Sequence, residues 1–211
     1  MLSLDEIESA AAIVHGAMPS TAQYAWPLLA LRTGCETWVK HENHTPTGAF
    51  KVRGGLVFMD RLKRRAPRTA GVVSATRGNH GQSIALAAAR NGIAATIVVP
   101  HGNSVEKNAA MRAFGAELVE AGHDFDAAKE TAMRLADERG LVMVPSFHRD
   151  LVAGVASYAL ELFRAAPPLD TVYVPIGLGS GICGTIAVRD ALGLKTKVVG
   201  VVSTEAPAYA L

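Results

Sequence analysis

A lysine that could act as a nucleophile lies in the segment Thr47-Gly-Ala-Phe-Lys-Val-Arg-Gly-Gly55. Most lysines are solvated surface charges, but Lys51 lies beside Phe50, among glycines and after a turn rich in Thr, Pro and Gly. The segment predicts a helix that begins near Lys51, and the positive end of a helix dipole disfavours a charged amine. A neutral lysine amine is the form that attacks a carbonyl carbon. We therefore predict that Lys51 is a reactive residue.

A glycine-rich segment, Gly177-Leu-Gly-Ser-Gly-Ile-Cys-Gly184, follows a predicted strand and opens a predicted helix. The backbone N–H groups of such a loop, together with the helix N-terminus, bind a phosphate dianion. The spacing from Gly179 to Gly184 also satisfies the G-x-G-x-x-G pattern, with Glu205 about twenty residues further on. That pattern normally follows the first strand of its domain, whereas several strands precede it here. We favour a site for one phosphate over a dinucleotide site or a simple turn.

The segment Ser74-Ala-Thr-Arg-Gly-Asn-His-Gly-Gln82 links a predicted strand to a predicted helix. Its hydroxyls, the amide of Asn79 and the N–H groups of the helix start can bind a carboxylate or a phenolate oxygen. Asn79 and His80 are equally well explained as a turn residue and a helix-start residue. Taken alone, this segment leaves both interpretations open.

Together the three segments resemble the fold-type II family of pyridoxal-phosphate (PLP) enzymes, and above all its threonine/serine dehydratases and serine racemases. Thr47–Gly55 is similar to the family's Ser-Phe-Lys-x-Arg-Gly block, and Gly78–Gln82 to its Gly-Asn-His-Gly/Ala-Gln block. Gly177–Gly181 is similar to its phosphate-binding glycine loop. The three motifs occur in the family's order, and the resemblance extends from about Tyr24 onward.

The resemblance implies a role for each segment. Lys51 would hold pyridoxal 5'-phosphate as a Schiff base, and its released amine would remove the Cα proton of an amino acid. The residues implied in cofactor binding are Phe50, Lys51, Asn79, Gly177, Leu178, Gly179, Ser180 and Gly181. The residues implied in substrate binding are Ser74, Thr76, Arg77, Gly78, Asn79 and His80. Val202 and Ser203 stand where the family often has an acidic metal ligand, so no metal site is predicted, although Glu205 could substitute.

The reaction implied by the resemblance is the dehydration and deamination of a small hydroxy-amino acid, such as L-threonine or L-serine, to a 2-oxo acid and ammonia. One alternative is an amino-acid racemase or β-replacement enzyme of the same fold, and another is an inactive, truncated PLP-binding fragment. Racemases of the family have a serine at the position of Arg77, and arginine stays protonated in proteins. Arg77 could instead pair with the carboxylate of an acidic substrate such as a hydroxyaspartate.

The elements that must position these segments alternate between β-rich runs and helical patterns. Strands are predicted at Thr37–Lys40, Gly71–Ser74, Ala95–Val99, Glu117–Glu120, Leu141–Val144, Thr171–Ile176 and Lys197–Val202. Helices are predicted at His80–Asn91, Val105–Phe114, Phe125–Arg139, Asp150–Phe163 and Ile182–Leu192, with N-caps at Ser104 and Asp124 and glycines at their ends at Gly115 and Gly140. Continuous apolar strands are typical of a parallel sheet covered on both faces. The pattern predicts an α/β fold.

The family layout implies two domains of the tryptophan synthase β-like type, with helices on both faces of parallel-rich sheets. Residues 1–69 and 148–211 would form the larger, PLP-anchoring domain, and residues 70–147 a smaller inserted α/β domain. Family members continue beyond the position of Leu211. We therefore expect the larger domain to be incomplete at its C-terminus and to lack the residue that contacts the pyridine nitrogen.

Composition excludes several classes of protein. The chain has 211 residues, 49% of them hydrophobic and 19% charged, which is enough apolar material for a core. The net charge of +2 does not indicate nucleic acid or a membrane surface as partner, and two cysteines cannot build a disulfide framework. No apolar run reaches the ~18 residues of a membrane span, and acidic residues follow Met1 where a signal peptide is basic. We expect a cytoplasmic protein with a small amino-acid substrate and, from the resemblance, a homodimer.

Overall fold

The computed structural model describes residues 2–208, so Leu211 lies outside the described part of the chain. The helices there are α1 (Leu4–His15), α2 (Pro27–Thr33), α3 (Lys51–Arg65), α4 (Asn79–Arg90), α5 (Val105–Ala113), α6 (Phe125–Arg139), α7 (Arg149–Ala165) and α8 (Ser180–Ala191). The strands are β1 (Gln23–Ala25), β2 (Trp38–Lys40), β3 (Val72–Ala75), β4 (Ala95–Val99), β5 (Glu117–Glu120), β6 (Val142–Met143), β7 (Thr171–Pro175) and β8 (Lys197–Val201). A 3-10 turn, Glu42–His44, lies between β2 and α3.

Four strands form a parallel sheet in the order β5-β4-β3-β6. Val72 of β3 pairs with Ala95 of β4 and with Val142 of β6. Neighbouring side chains of a strand point to opposite faces, so Val72 packs in one core with α4, whereas Val73 packs in a second core with α6. The predicted parallel sheet with helices on both faces is confirmed.

Two further pairs of strands complete the sheets of residues 2–208. β7 and β8 pair in parallel through the crossover helix α8, with Thr171 opposite Lys197. β1 and β2 pair antiparallel, with Tyr24 opposite Val39. The antiparallel pair was not expected, because a three-residue strand such as β1 gives almost no periodic signal in the sequence.

Close contact between helices fixes the position of α3, the helix that begins at Lys51. A Cβ atom added at Gly54 would lie 2.8 Å from the carbonyl oxygen of Leu151 in α7. A Cβ atom added at Gly55 would lie 2.3 Å from Oγ of Ser83 in α4. Two adjacent glycines therefore allow α7 and α4 to approach the same turn of α3 from different sides.

The helix ends follow the predicted capping pattern. The side chains of Ser104 and Asp124 accept hydrogen bonds from backbone N–H groups in the first turns of α5 and α6. Gly115 and Gly140 lie just beyond these two helices with φ of +89° and +64°, a conformation that glycine adopts readily. These four predictions are confirmed, whereas α8 begins at Ser180, earlier than the predicted start at Ile182.

The four-stranded sheet lies entirely within residues 70–147, the range predicted for a smaller domain. The division of the chain into 1–69 with 148–211 and 70–147 stays a prediction. Within residues 2–208 no helix is long and apolar enough to cross a lipid bilayer.

Candidate active site

Lys51 is the first residue of α3 and is partly buried. Its carbonyl oxygen accepts a hydrogen bond of 2.6 Å from Oγ of Ser83, and its Nζ lies 5.4 Å from the centroid of the Phe50 ring. Burial lowers the pKa of Lys51 below the ordinary value of 10.5, because the charged amine loses solvation. Within residues 2–208 no carboxylate lies within ion-pair distance of Nζ. This is the environment that a nucleophilic amine or a general base requires.

The turn before α4 is held by Thr76. Its Oγ1 accepts hydrogen bonds from the N–H groups of Gly78 at 3.0 Å and Gly81 at 3.3 Å. Oγ of Ser74 donates to the carbonyl oxygen of Val144 at 2.9 Å, which ties the end of β3 to the segment after β6. These two hydroxyls therefore shape the turn. Asn79, at the first position of α4, has an exposed side chain.

His80 is buried in the first turn of α4, with 8% of its surface exposed. Its Nε2 has no hydrogen-bond partner among the described residues. Burial, and secondarily the charge of Lys51, lower the pKa of His80 to about 3. His80 is therefore a neutral imidazole close to Lys51, and its buried Nε2 is unpaired among residues 2–208.

The glycine loop leads into the N-terminus of α8. Gly179 has a φ of +91°, which favours glycine there, and no side chain caps the helix. The first turn of α8 carries no acidic residue, so its N–H groups and positive dipole face no negative side chain from that turn. A Cβ added at Gly177 would meet nothing within 4 Å. The loop thus offers an open site for an anion at a helix N-terminus.

The loop and the lysine segment meet at Phe50. A Cβ atom added at Gly181 would lie 3.6 Å from Cζ of Phe50 and 3.3 Å from Oη of Tyr158. Tyr158, which is buried, donates a hydrogen bond of 3.1 Å to the carbonyl oxygen of Gly181. Phe50 directly precedes Lys51, so the start of α8 and the start of α3 are neighbours. The fold therefore brings the predicted anion loop and the predicted reactive amine to one place.

A cleft lies beside the glycine loop, and Lys51 and Phe50 are not among the residues that line it. Its volume is 870 Å³, and its lining includes Leu178 and Gly179 from the loop, Ala75 from the end of β3, and Phe147. Cys183, in the first turn of α8, also lines it and is exposed. Most of the lining is apolar, which suits the ring of a cofactor or a small organic substrate.

The residues present fit pyridoxal 5'-phosphate. An aldehyde requires an amine of lowered pKa, which Lys51 supplies. A phosphate requires clustered N–H groups at a helix N-terminus, which the loop from Gly177 to Gly181 supplies. The unpartnered Nε2 of His80 gives a buried hydrogen-bonding group beside the amine.

Several residues of the site were not found by sequence reasoning. Tyr158 supports the carbonyl of Gly181 from a helix that carries no local motif. The side chain of Lys107 covers Gly78, since a Cβ added at Gly78 would lie 3.0 Å from Nζ of Lys107. Arg53 is fully buried in the first turn of α3. Of these three residues, Arg53 had a sequence signal, because it stands at the arginine of the Ser-Phe-Lys-x-Arg-Gly block.

Comparison with known proteins places these features in a family. Residues 20–211 match the family model described as pyridoxal-phosphate dependent enzyme. An L-threonine ammonia-lyase of Thermotoga maritima is 35% identical over 208 residues, and an L-threo-3-hydroxyaspartate ammonia-lyase of a Pseudomonas species is 34% identical over 200 residues. The crystal structure of a pyridoxal 5'-phosphate-dependent aspartate racemase superposes with a TM-score of 0.90 at 31% identity.

These matches cover nearly all of this chain but only part of each relative. The chain is covered to 98%, 94% and 95% by the three proteins in that order. It spans 52% of the Thermotoga protein, 62% of the Pseudomonas protein and 62% of the racemase chain.

Proposed function

The chain belongs to the family of pyridoxal-phosphate dependent enzymes, and from this premise we propose that the whole protein dehydrates and deaminates a small hydroxy-amino acid such as L-threonine or L-serine. The products would be a 2-oxo acid and ammonia. The fold is the α/β fold of the fold-type II enzymes. The observation that carries the proposal is the partly buried amine of Lys51, which has no counter-ion in residues 2–208 and lies 5.4 Å from the ring centroid of Phe50 and close to His80.

Residues of the site would hold the cofactor at both of its ends. Lys51 would bond its aldehyde carbon, and the N–H groups of the loop from Gly177 to Gly181, which includes Leu178, Gly179 and Ser180, would bind its phosphate. Phe50 would pack beside it, and the amide of Asn79 would bond its phenolic oxygen. When bound, pyridoxal phosphate supplies an electron sink for the pair left behind when a proton leaves Cα.

Lys51 would also move the proton. Because burial lowers the pKa of its amine, a larger fraction is unprotonated near neutral pH and can accept the Cα proton. The neutral imidazole of His80 places no second positive charge beside this amine. Burial therefore raises the unprotonated fraction of this base, and no carboxylate of residues 2–208 forms an ion pair that would favour its protonated form.

The turn before α4 would bind the substrate carboxylate. The N–H groups of Asn79 and His80 lie at the positive end of α4, whose first turn carries no acidic residue, while the N–H of Gly78 bonds Thr76 and shapes the turn. Arg77 adds an exposed positive charge. Ser74 and Thr76 contribute through the hydroxyl bonds that keep the turn in shape.

A specific observation favours an acidic hydroxy-amino acid as a second candidate substrate. Lys107 covers Gly78 and Arg77 follows β3, so two cations flank the turn, and neither forms an ion pair within residues 2–208. A second substrate carboxylate would neutralise them. The relative named L-threo-3-hydroxyaspartate ammonia-lyase supports this candidate.

Three further expectations enter the proposal. The racemase alternative is supported by the likeness to an aspartate racemase, while the fixed charge of Arg77 argues against a second acid/base at that position. A homodimer and a cytoplasmic location are proposed from the family resemblance alone.

The test is a direct assay of the 211-residue chain. Purified protein is reconstituted with pyridoxal phosphate, and its absorbance near the visible edge is recorded. L-Threonine, L-serine and threo-3-hydroxyaspartate are then added separately, and 2-oxo acid is measured. Release of 2-oxo acid by the reconstituted chain but not by Lys51→Ala supports the proposal. Stable attachment of the cofactor without 2-oxo acid from any of the three substrates contradicts the proposed reaction for this chain.

A further inference from the structure

Arg53 is completely buried, and its guanidinium lies between two carboxylates. Its Nε and Nη2 donate to Glu42 at 2.7 and 2.9 Å, and its Nη1 and Nη2 donate to Glu161 at 2.6 and 3.0 Å. Nη1 also donates to Oγ of Ser157 at 2.9 Å, and Nη2 donates to Oγ1 of Thr21 at 3.3 Å. The planar fork of an arginine is therefore held in one orientation by partners on both sides.

Other groups balance the two carboxylates. Glu161 binds Nζ of Lys40 at 2.6 Å and Nε2 of His15 at 2.8 Å. Glu42 accepts a hydrogen bond of 2.6 Å from Thr21. Burial is the largest single influence and would raise the pKa of Glu161, but the hydrogen bond and charge of Arg53, together with hydrogen bonds from Lys40 and His15, outweigh it, and the pKa falls to about 2. Arg53 and Lys40 are therefore the cationic partners of the two carboxylates.

The cluster holds the side of α3 that faces away from Lys51. Arg53 follows Lys51 by two residues, and two residues turn an α-helix by about 200°, so the two side chains leave opposite sides of the first turn. Glu42 belongs to the 3-10 turn before α3, and Glu161 belongs to α7. Arg53 thus connects the start of α3 to two other elements from behind the reactive amine.

A second ion cluster connects α3 and α7 far from Lys51. Arg61 and Arg65, near the end of α3, bind Asp150 at the start of α7 at 2.7 and 2.6 Å. This tie holds the two helices together at the opposite end of α3. Because buried ion pairs can often be replaced by apolar residues without loss of stability, stability alone does not explain a buried arginine beside Lys51.

We propose that Arg53 is a positioning residue for Lys51, because its bonds to Glu42 and Glu161 fix the rotation of α3 about its own axis and with it the place of the Lys51 amine. The inference rests on the proposed function, in which Lys51 is the reactive group. Without these bonds the first turn of α3 can rotate about the helix axis. Nζ of Lys51 then moves away from the Phe50 ring and becomes more exposed to solvent.

The experiment reads Lys51 in the 211-residue chain without using activity. Trace acetic anhydride labels every lysine across a pH series, and peptide mass mapping gives the titration midpoint of Lys51. The variants are Arg53→Lys, the triple variant Arg53→Met with Glu42→Gln and Glu161→Gln, and the control Asp150→Asn. The triple variant removes the charges of Arg53 and both carboxylates, so no buried carboxylate is left unpaired, and Lys40 keeps its hydrogen bond of 2.8 Å to the carbonyl oxygen of Thr21. Urea unfolding measures the stability of each variant.

The expected result separates position from stability. In folded Arg53→Lys and in the triple variant, the Lys51 midpoint rises by about one pH unit toward the ordinary lysine value, since the amine regains solvent. In Asp150→Asn, stability falls while the Lys51 midpoint keeps its wild-type value. If Arg53 only supplied a positive charge, Arg53→Lys would keep the wild-type Lys51 midpoint. Lysine keeps the charge but cannot form paired hydrogen bonds to both carboxylates, so a raised midpoint in this variant shows that the paired bonds are needed.

A wild-type Lys51 midpoint in folded Arg53→Lys or in the folded triple variant overturns the inference. If both variants fail to fold, the Lys51 midpoint is measured in Glu42→Gln, which removes one charged partner of Arg53. A raised midpoint in that variant supports the inference, and a wild-type midpoint overturns it. A separate reaction with pyridoxal phosphate and borohydride reports the proposed function: absence of an adduct on wild-type Lys51 contradicts that proposal, while the acetylation midpoints still decide the role of Arg53.

Discussion

Oγ of Ser83 donates a hydrogen bond of 2.6 Å to the carbonyl oxygen of Lys51, and this bond joins the first turn of α3 to α4. The absence of a side chain at Gly55 makes the approach possible, since a Cβ there would lie 2.3 Å from the same Oγ. α3 carries the reactive amine and α4 carries the turn with Asn79 and His80. The two parts of the site are therefore connected through one hydroxyl.

Removal of that hydroxyl tests the connection. We expect Ser83→Ala to lower the free energy of unfolding by about 1 kcal/mol, the usual value of a neutral hydrogen bond, as measured by urea unfolding. We also expect a borohydride-reducible adduct between pyridoxal phosphate and Lys51 to form more slowly. The reason is that the backbone of Lys51 loses the hydrogen bond from Ser83 that holds it against α4. The control is Thr131→Ala, which removes a hydroxyl-to-carbonyl bond within α6. Equal adduct rates in both variants would show that Ser83 does not position Lys51.

The close crossing of α3 and α7 at Gly154 predicts that a larger residue there strongly lowers the stability of the fold. A Cβ added there would lie 2.2 Å from the carbonyl oxygen of Arg53, which is backbone and cannot move aside. We expect Gly154→Ala to lower the free energy of unfolding by about 2–3 kcal/mol through overpacking. Gly16→Ala is the control, because its Cβ would meet only ordinary contacts at 3.5 Å and its φ is −67°. A loss no larger than that of the control would mean that the helices are further apart than described.

Substitution of Gly179 in the glycine loop is predicted to lower the affinity for the cofactor. Substitution of a glycine with similar backbone strain elsewhere is predicted to leave that affinity unchanged. Gly179 has φ of +91° at the start of α8, and Gly193 has φ of +65° beyond its end. We expect Gly179→Ala to weaken binding of pyridoxal phosphate about tenfold by displacing the N–H groups that bind the phosphate. Gly193→Ala should carry similar strain and leave binding unchanged. Fluorescence titration of both variants measures this, and equal affinities would place the phosphate elsewhere.

The buried imidazole of His80 predicts how stability depends on pH. Its pKa is 6.5 when unperturbed and about 3 in the fold, so between these values the unfolded chain binds a proton that the folded chain does not. Stability must then fall as the pH falls, by about 2 kcal/mol between pH 7 and pH 5. Glu161 adds a loss only at lower pH, between its ordinary 4.5 and its lowered value of about 2. His80→Asn should flatten the curve from pH 7 to pH 5, as measured by urea unfolding, and an unchanged slope would contradict the assignment.

Local patterns predicted much of the fold, because their signals lie within a few residues. Ala95–Val99 is a continuous apolar run and is strand β4 with the same ends. Asp124 precedes a helical pattern and caps α6. The motif around Lys51 predicted a helix start, and α3 begins at that residue. In each case the residues that decide the structure are neighbours in the chain.

The parts that could not be predicted depend on residues far apart in sequence. Arg53 binds Glu161, 108 residues away, and neither residue carries a local sign of the other. The burial of His80 depends on how α4 packs, so the sequence left it open between a helix-start residue and a site residue. Tyr158 meets Gly181 only because α7 and α8 lie side by side. Long-range packing, rather than motif spacing, sets these features.

The most direct test of the account is to locate where pyridoxal phosphate attaches. The 211-residue chain is incubated with pyridoxal phosphate, reduced with borohydride, digested and mapped by mass spectrometry. The account predicts one dominant adduct, on Lys51, which disappears in Lys51→Ala while the adducts on exposed lysines such as Lys195 stay at background level. A dominant adduct on another lysine, or an adduct of equal yield in Lys51→Ala, would contradict the claim that Lys51 is the reactive residue of this protein.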